Sequence, residues 1–226
     1  MEIKIRYSDK KSKKIDVDYA TVSIQATTDD IVRNLVADEG AVVVDNLDTF
    51  FISNTVIDEI NNFSDNVNFD ILKNVSGFLN LEPSFYDREI KSLSSTEKIY
   101  LNIIRTITRL NKVIIFKDIF QGLDLNGQKG LINIINYLKK DYFVFIQSSD
   151  VDDIHRIADY SIISNKTYMK YDKTEEIYSD VPTLNKYGLD VPTLSYITYK
   201  AKEEKNVKLF YSRDVRDIIK DIYKHV

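Results

Sequence analysis

The strongest constraint on the fold is a rhythm. Short, nearly unbroken apolar runs recur between stretches with helical spacing: AVVVDN (41–46), VIIF (113–116), YFVFIQ (142–147) and SIIS (161–164), with TVSIQA (21–26) a strand piece before them. Strands that are apolar on every side chain are buried on both faces. Their alternation with helices puts them in a mostly parallel sheet covered by helices, an α/β fold. TTDDIVRNLVADEG (27–40) reads as a helix with a Thr or Asp cap, an apolar stripe of Ile31, Leu35 and Val36, and a stop at Gly40. TVIDEINNF (55–63) and FDILKNVSGFL (69–79) read as short helices. SSTEKIYLNIIRTITRL (94–110) is the best helix, with a Ser cap and Glu97 three residues on. GQKGLINIINYLKK (127–140) and VDDIHRIADY (151–160) complete the series. IKIRY (3–7) alternates like a strand, DKKSKK (9–14) reads as a solvated basic hairpin tip, and IDVDY precedes the first buried run.

The chain has 226 residues, enough for one large α/β domain with a small extension. There is no Cys, and the only histidines are His155 and His225, so neither a disulfide framework nor a Cys- or His-rich metal site is expected. A formal charge of −4 gives no footprint for a nucleic-acid binder. No apolar stretch approaches ~20 residues and the start, MEIKIRYSDKK, has no signal-like core, so the expected location is the cytoplasm or a particle assembled there. The expected organisation is a main domain over 1–170, with a helical insert near 55–110, and a C-terminal extension over 171–226. That extension opens with an echo, DVPTLNKYGL then DVPTLSYITY, which reads as a duplicated helix start with an Asp cap and an early Pro.

Five segments then carry a resemblance, placed along the chain in the family's order. LSSTEKIYLNIIRTI (93–107) resembles the signature motif and helix of ATP-binding cassette (ABC) ATPases. VIIFKDIFQGLD (113–124) is similar to that family's Walker B strand and D-loop. VFIQSSDVDDIHRIADYSIISN (144–165) resembles its switch segment. DTFFISNTVIDEINNF (48–63) resembles the stretch after the Q-loop in the energy-coupling-factor, cobalt-type branch, and GLDVPTLSYITYKAKEE (188–204) that branch's C-terminal extension. The resemblance implies a P-loop-NTPase-like domain that pairs through its signature and D-loop surfaces and docks helices of a membrane partner.

The departures fall on the chemistry. A phosphate cradle needs Gly-x-x-x-x-Gly-Lys-Ser/Thr after the first buried strand. This chain has TVSIQATTDDIVRNL there, and only 6 glycines in all. Thr27 and Thr28 offer hydroxyls, while Asp29 and Asp30 stand at a helix N-terminus, where phosphate sits in the family. The Walker B magnesium acid aligns with Lys117. Two like charges ~4 Å apart cost roughly 4 kcal/mol at an effective dielectric of ~20, and a divalent ion doubles that. The catalytic Glu aligns with Asp118, the Q-loop Gln with Asp45 and the switch His with Ser149. Ser95 and Thr96 replace the signature glycines, whereas Ser94, Glu97, Gly122 and Asp124 are retained. Tyr7 aligns with the adenine-stacking aromatic, but in a chain with 15 tyrosines a core or surface role fits it better.

The resemblance and its gaps imply a catalytically degenerate ABC-type protein, a non-hydrolysing partner or scaffold with no metal and no cofactor. Asp118 is then a vestigial catalytic residue and Tyr7, Thr27, Thr28 and Ser94 vestigial nucleotide contacts. Ser94, Glu97, Gly122 and Asp124 form the expected interface. Asp29, Asp30 and Asp45 are candidate ion-pair partners of Lys117 in a filled pocket, the alternative being a Lys117 that reaches solvent. Expected partners are proteins: a second subunit in a homo- or heterodimer, a larger assembly, or a membrane protein. Two alternatives remain, a structural component of a phage or mobile-element assembly and a divergent active ATPase that uses ATP and Mg²⁺.

Overall fold

The structure, a computed structural model, describes residues 1–8, 11–45, 50–63, 67–109 and 112–224. In chain order the elements are β1 (Glu2–Ser8), β2 (Lys11–Asp16), β3 (Thr21–Ala26), α1 (Asp30–Glu39), β4 (Val42–Asp45), α2 (Val56–Phe63), α3 (Phe69–Phe78), α4 (Ser95–Ile107) and β5 (Val113–Lys117). They continue with α5 (Leu125–Leu138), β6 (Phe143–Gln147), α6 (Val151–Ile157), β7 (Tyr160–Ser164), β8 (Met169–Lys173), α7 (Thr174–Tyr178), α8 (Val181–Lys186), α9 (Thr193–Lys205) and α10 (Val215–Ile222). The chain divides into two compact units, one of Met1–Val17, Val22–Ile31 and Ser148–Val226, the other of Asp18–Thr21 and Val32–Gln147.

In the second unit β4, β5 and β6 pair in parallel, with Asp45 in register with Lys117 and Lys117 with Gln147. Val113 to Phe116 and Phe143 to Ile146 are all buried, which is why they read as unbroken apolar runs. Helices α2, α3 and α4 follow β4 in the chain. Helix α5 lies against α3 so closely that a Cβ on Gly130 would meet the Phe78 carbonyl oxygen at 2.6 Å. The Asp124 side chain accepts from Gly127 N, so α5 starts two residues before its expected start.

In the first unit β3 and β7 are parallel and β8 returns antiparallel to β7. The β1–β2 hairpin buries Ile3, Ile5, Ile15 and Val17. Three readings change here. Most of the expected basic tip is strand, because Lys11 to Lys14 pair with β1 and project into solvent; Asp9 and Lys10 lie outside the described residues. Helix α6 ends at Ile157, not 160, because Ala158 is extended and Tyr160 opens β7. The second half of the echo does not cap itself. Asp180 accepts from Thr183 N and starts α8, but at α9 the cap residue is Pro192, and Asp152 from α6 accepts from Thr193 N at 2.8 Å. Strand β8 and helix α7 had no distinct sequence signal.

Two further bonds join the C-terminal stretch to α6. Arg213 donates to the Ala158 carbonyl at 2.6 Å, and His155 Nε2 lies 2.6 Å from the Tyr211 hydroxyl. The His155 ring meets Tyr178 and Tyr211 edge-on. Burial and, secondarily, the Arg213 charge lower its pKa to about 4, against an opposing pull from Asp152.

Gly130→Ala forces α5 from α3 and lowers the urea-unfolding free energy by ~1–3 kcal/mol. Gly77→Ala, in a helix with nothing within 4 Å of the new Cβ, raises it by about 0.5 kcal/mol. The unfolded chain protonates His155 near pH 6.5 and the folded chain only near pH 4. The His155 contribution is therefore intact above pH 6.5 and is lost as pH falls towards 4. By pH 4 the wild type should lose ~3 kcal/mol more than His155→Gln, read from urea midpoints across that range.

Candidate functional site

The strand ends of the second unit bring part of the expected site together. Asp45 closes β4 and Lys117 closes β5 as its register partner, so a carboxylate and an ammonium stand on adjacent strands. Asp118 follows with φ at 49°, a left-handed backbone uncommon for a side-chain-bearing residue, and its N–H donates to the Gln147 carbonyl at 2.8 Å. The phosphate-loop positions belong to the first unit. Thr27 N–H donates to the Ser164 carbonyl and Thr28 Oγ1 to Asp30 Oδ2 at 2.9 Å, so a side chain already occupies the Thr28 hydroxyl. Asp29 precedes α1, and Tyr7 lies half-buried on β1. Ser149 is exposed two residues beyond β6.

The four retained motif residues all have local structural work. Ser94 caps α4 by accepting from Glu97 N, and the Glu97 carboxylate accepts from Ser94 N. Glu97 also pairs with Arg88. Burial pushes its carboxyl up, but the Arg88 and Ser94 bonds win and hold it below the usual range. Asp124 caps α5, and Gly122 has φ at 81°, where glycine alone is unstrained. Thr96 Oγ1 donates to the Gly122 carbonyl at 3.3 Å and ties the two segments together. Beside them Leu125 is 76% exposed, an apolar side chain in the open.

Sequence reasoning missed the most developed polar feature. Glu59 on α2 and Arg105 on α4 form a buried ion pair, their side chains 1% and 7% exposed. Glu59 Oε2 accepts from Ile52 N at 3.0 Å and Ser53 N at 2.9 Å. The Arg105 guanidinium lies over the Phe51 and Phe63 rings, and its Nε donates to Asn102 Oδ1. Asn102 Nδ2 then donates to the Asp45 carbonyl at 2.8 Å. Burial lowers the Arg105 pKa while Glu59 pulls the other way. The available signal was two polar residues three positions apart, Asn102 and Arg105, within the mostly apolar stretch 99–107 of α4.

This network fixes residues 50–55, the segment after the Q-loop position; residues 46–49 lie outside the described residues. Phe50 is 82% and Ile52 70% exposed. With Phe51, Glu89, Ile90, Lys91 and Lys98, Phe50 lines a cavity of about 510 Å³. Among the described residues no group of three or more His, Cys, Asp or Glu side chains could hold a metal ion, and no helix is long and apolar enough to cross a membrane.

No family model matches the chain. It is similar to EcfA2, the energy-coupling factor transporter ATP-binding protein of Clostridium perfringens, 31% identical over 117 residues, covering 50% of this chain and 41% of that protein. It is also similar to MntA, the manganese transport system ATP-binding protein of Synechocystis, 29% identical over 96 residues, covering 42% of this chain and 37% of that one. The matches thus span about two-fifths of those relatives' length. Among solved structures, CbiO1 of Clostridium perfringens, part of the ABC transporter complex CbiONQ, superposes with a TM-score of 0.63 at 14% identity, covering 87% of this chain and 98% of that one. A bacterial Atm1-family ABC exporter with ATP bound gives 0.59 at 13%, covering 83% and 39%. The resemblance read from the motifs stands: the fold is that of ABC ATPases, and the sequence likeness includes the energy-coupling-factor type.

Glu59→Ala strands the Arg105 charge in the interior. It should destabilise the chain by about 3–5 kcal/mol in urea unfolding. Replacing both residues by apolar ones of similar volume should cost much less.

Proposed function

We propose that this chain, which has the fold of ABC ATP-binding subunits, is a non-hydrolysing member of such an assembly and acts through protein contacts. The observation that carries the reading is Lys117. At the end of β5 it holds the position where the family places a magnesium-binding acid, and the register sets Asp45 beside it. Phosphoryl transfer depends on electrostatic stabilisation of the phosphates, largely by metal. A fixed ammonium at the metal position works against that. The junction of β3 and α1 adds to the case, because Thr27, Thr28, Asp29 and Asp30 stand where a glycine cradle and lysine are needed. Asp29 and Asp30 are proposed to stand in for phosphate at the start of α1, and Asp45 to face Lys117 at the ends of β4 and β5.

Two surfaces support protein partners. The signature and D-loop segments, joined by the Thr96–Gly122 bond, leave Leu125 open for a second subunit. The groove beside Phe50 suits a helix of a membrane subunit. EcfA2 is named as part of an energy-coupling factor transporter and CbiO1 as part of CbiONQ. A place on the cytoplasmic side of such a complex follows for this chain.

A second reading, a divergent active ATPase, draws on Asp118. Its left-handed backbone is the kind of local strain that clusters at functional sites. Nucleotide titration with and without Mg²⁺, run beside a turnover assay, separates the two. The proposal expects no Mg²⁺-dependent gain in ATP affinity and no turnover. Mg²⁺-dependent turnover that disappears in Asp118→Asn would establish the second reading instead.

A further inference from the structure

The β1–β2 hairpin concentrates one sign of charge. Lys4, Arg6, Lys11, Lys13 and Lys14 are all exposed there, in a chain whose formal charge is −4. Its described acids, Glu2 and Asp16, face each other on a single rung at the far end. The cations take the other rungs, from Lys4 opposite Lys14 to Lys11 opposite Ser8. They lie along about 10 Å of strand, roughly one Debye length at 0.1 M salt.

This arrangement works against the hairpin itself. Like charges directly opposite one another destabilise an antiparallel pair, and Lys4 stands opposite Lys14. Glu2 relieves Lys14, with an oxygen 2.6 Å from its Nζ. Among the described residues Lys4, Lys11 and Lys13 make no ion pair. Charge of either sign guards a strand edge against stray pairing. A run of one sign goes beyond that duty and leaves its counter-charge to come from outside. The hairpin's one aromatic residue, Tyr7, is half-buried, so it offers no open ring on which a base could stack. Elsewhere in the chain acids outnumber bases, which repels a long polyanion that wraps the protein. A flat anionic surface need touch the hairpin only.

Resting on the place beside a membrane complex proposed above, we infer that the hairpin binds anionic lipid headgroups, by charge and without insertion. Each cation that reaches an anionic leaflet strengthens binding about five-fold. Five of them give roughly sub-millimolar binding. That strength suits a tether, which orients a subunit already docked through other contacts.

The test is sedimentation of the full chain with vesicles at low salt. Vesicles of phosphatidylcholine alone are compared with vesicles containing about one-third phosphatidylserine. The mixed vesicles should bind the chain at least about ten-fold more tightly, and about 0.5 M salt should erase the difference. Lys11→Gln with Lys13→Gln should weaken binding about 25-fold. Lys202→Gln with Lys205→Gln, exposed on α9, should leave it unchanged. Lys4→Glu separates binding from folding. It sets opposite charges across the rung, so it should raise the urea midpoint while weakening vesicle binding about 25-fold. Equal binding to both vesicle types overturns the inference, as does no binding at about 5 mM lipid. Equal losses from the α9 pair and the hairpin pair overturn it too. A single-stranded RNA of about 20 nucleotides that binds more tightly than the mixed vesicles, through Lys11 and Lys13, reassigns the surface to nucleic acid. Any of these failures leaves the non-hydrolysing reading standing, because the nucleotide titration decides that separately.

Discussion

A charge has been brought into the interior of the second unit and answered there. Arg105 enters the apolar face of α4, and its guanidinium is met by Glu59, by two aromatic rings and by Asn102. An unanswered guanidinium at that depth would cost several kcal/mol, so the surrounding groups have to be where they are. The ion pair itself adds little net stability against apolar residues of equal volume. It does give direction. One carboxylate oxygen takes two backbone N–H groups of residues 52 and 53, and the amide of Asn102 takes the carbonyl of Asp45. The exposed loop on one side and the end of β4 on the other are tied to the same buried group. The segment that presents Phe50 is therefore set by helix packing rather than by its own weak local preferences.

Much of the layout was legible in the sequence because burial on both faces leaves a plain mark. The runs 113–116 and 142–147 are apolar at every position that faces a helix layer, and no amphipathic element imitates them. The α4 capping box was equally readable, since Ser94 and Glu97 report on backbone groups only three residues away. What escaped depends on contacts distant in the chain. Asp152 caps α9 across 41 residues, so the local Asp190-Pro192 signal misled. Arg105 and Glu59 are 46 residues apart, and neither has a neighbour that betrays the other. Strand β8, MKYDK, is half-buried and polar, and it exists because β7 offers an edge, not because its residues favour a strand. Of the candidate site, the long-range bonds of the motif residues, such as Thr96 to Gly122 across 26 positions, leave no local mark in the sequence.

That last distinction bears on how retained motifs are read. Ser94, Glu97, Gly122 and Asp124 look like survivors of a nucleotide-binding interface. Yet two cap helices, one closes a capping box and pairs with Arg88, and one adopts a backbone that suits glycine alone. Loss of any of these would cost about 0.5–2 kcal/mol whether or not a nucleotide ever binds. Their persistence in this chain is explained by folding. The departures read from the resemblance fall at other positions, from Thr27 to Asp30 and at Ser95, Thr96, Lys117 and Ser149.

Asp118 is the exception that gives this contrast its edge. A residue with φ at 49° and a side chain is normally exchanged for glycine when nothing holds it. Here its N–H is tied to the Gln147 carbonyl, one register step beyond the β5–β6 ladder, so the turn that leaves β5 is fixed by the sheet. The sheet thus accounts for the turn, and short polar side chains such as Asp tolerate the left-handed region better than most. The backbone strain at Asp118 is then the residue of a geometry built by the strands. Lys117, immediately before it, is held at the strand end by the same ladder with Asp45 in register. A frame maintained by buried apolar strands keeps its shape when the chemistry at its edge changes. That is why the side chain at the end of β5 can be exchanged while the fold around it stays the same.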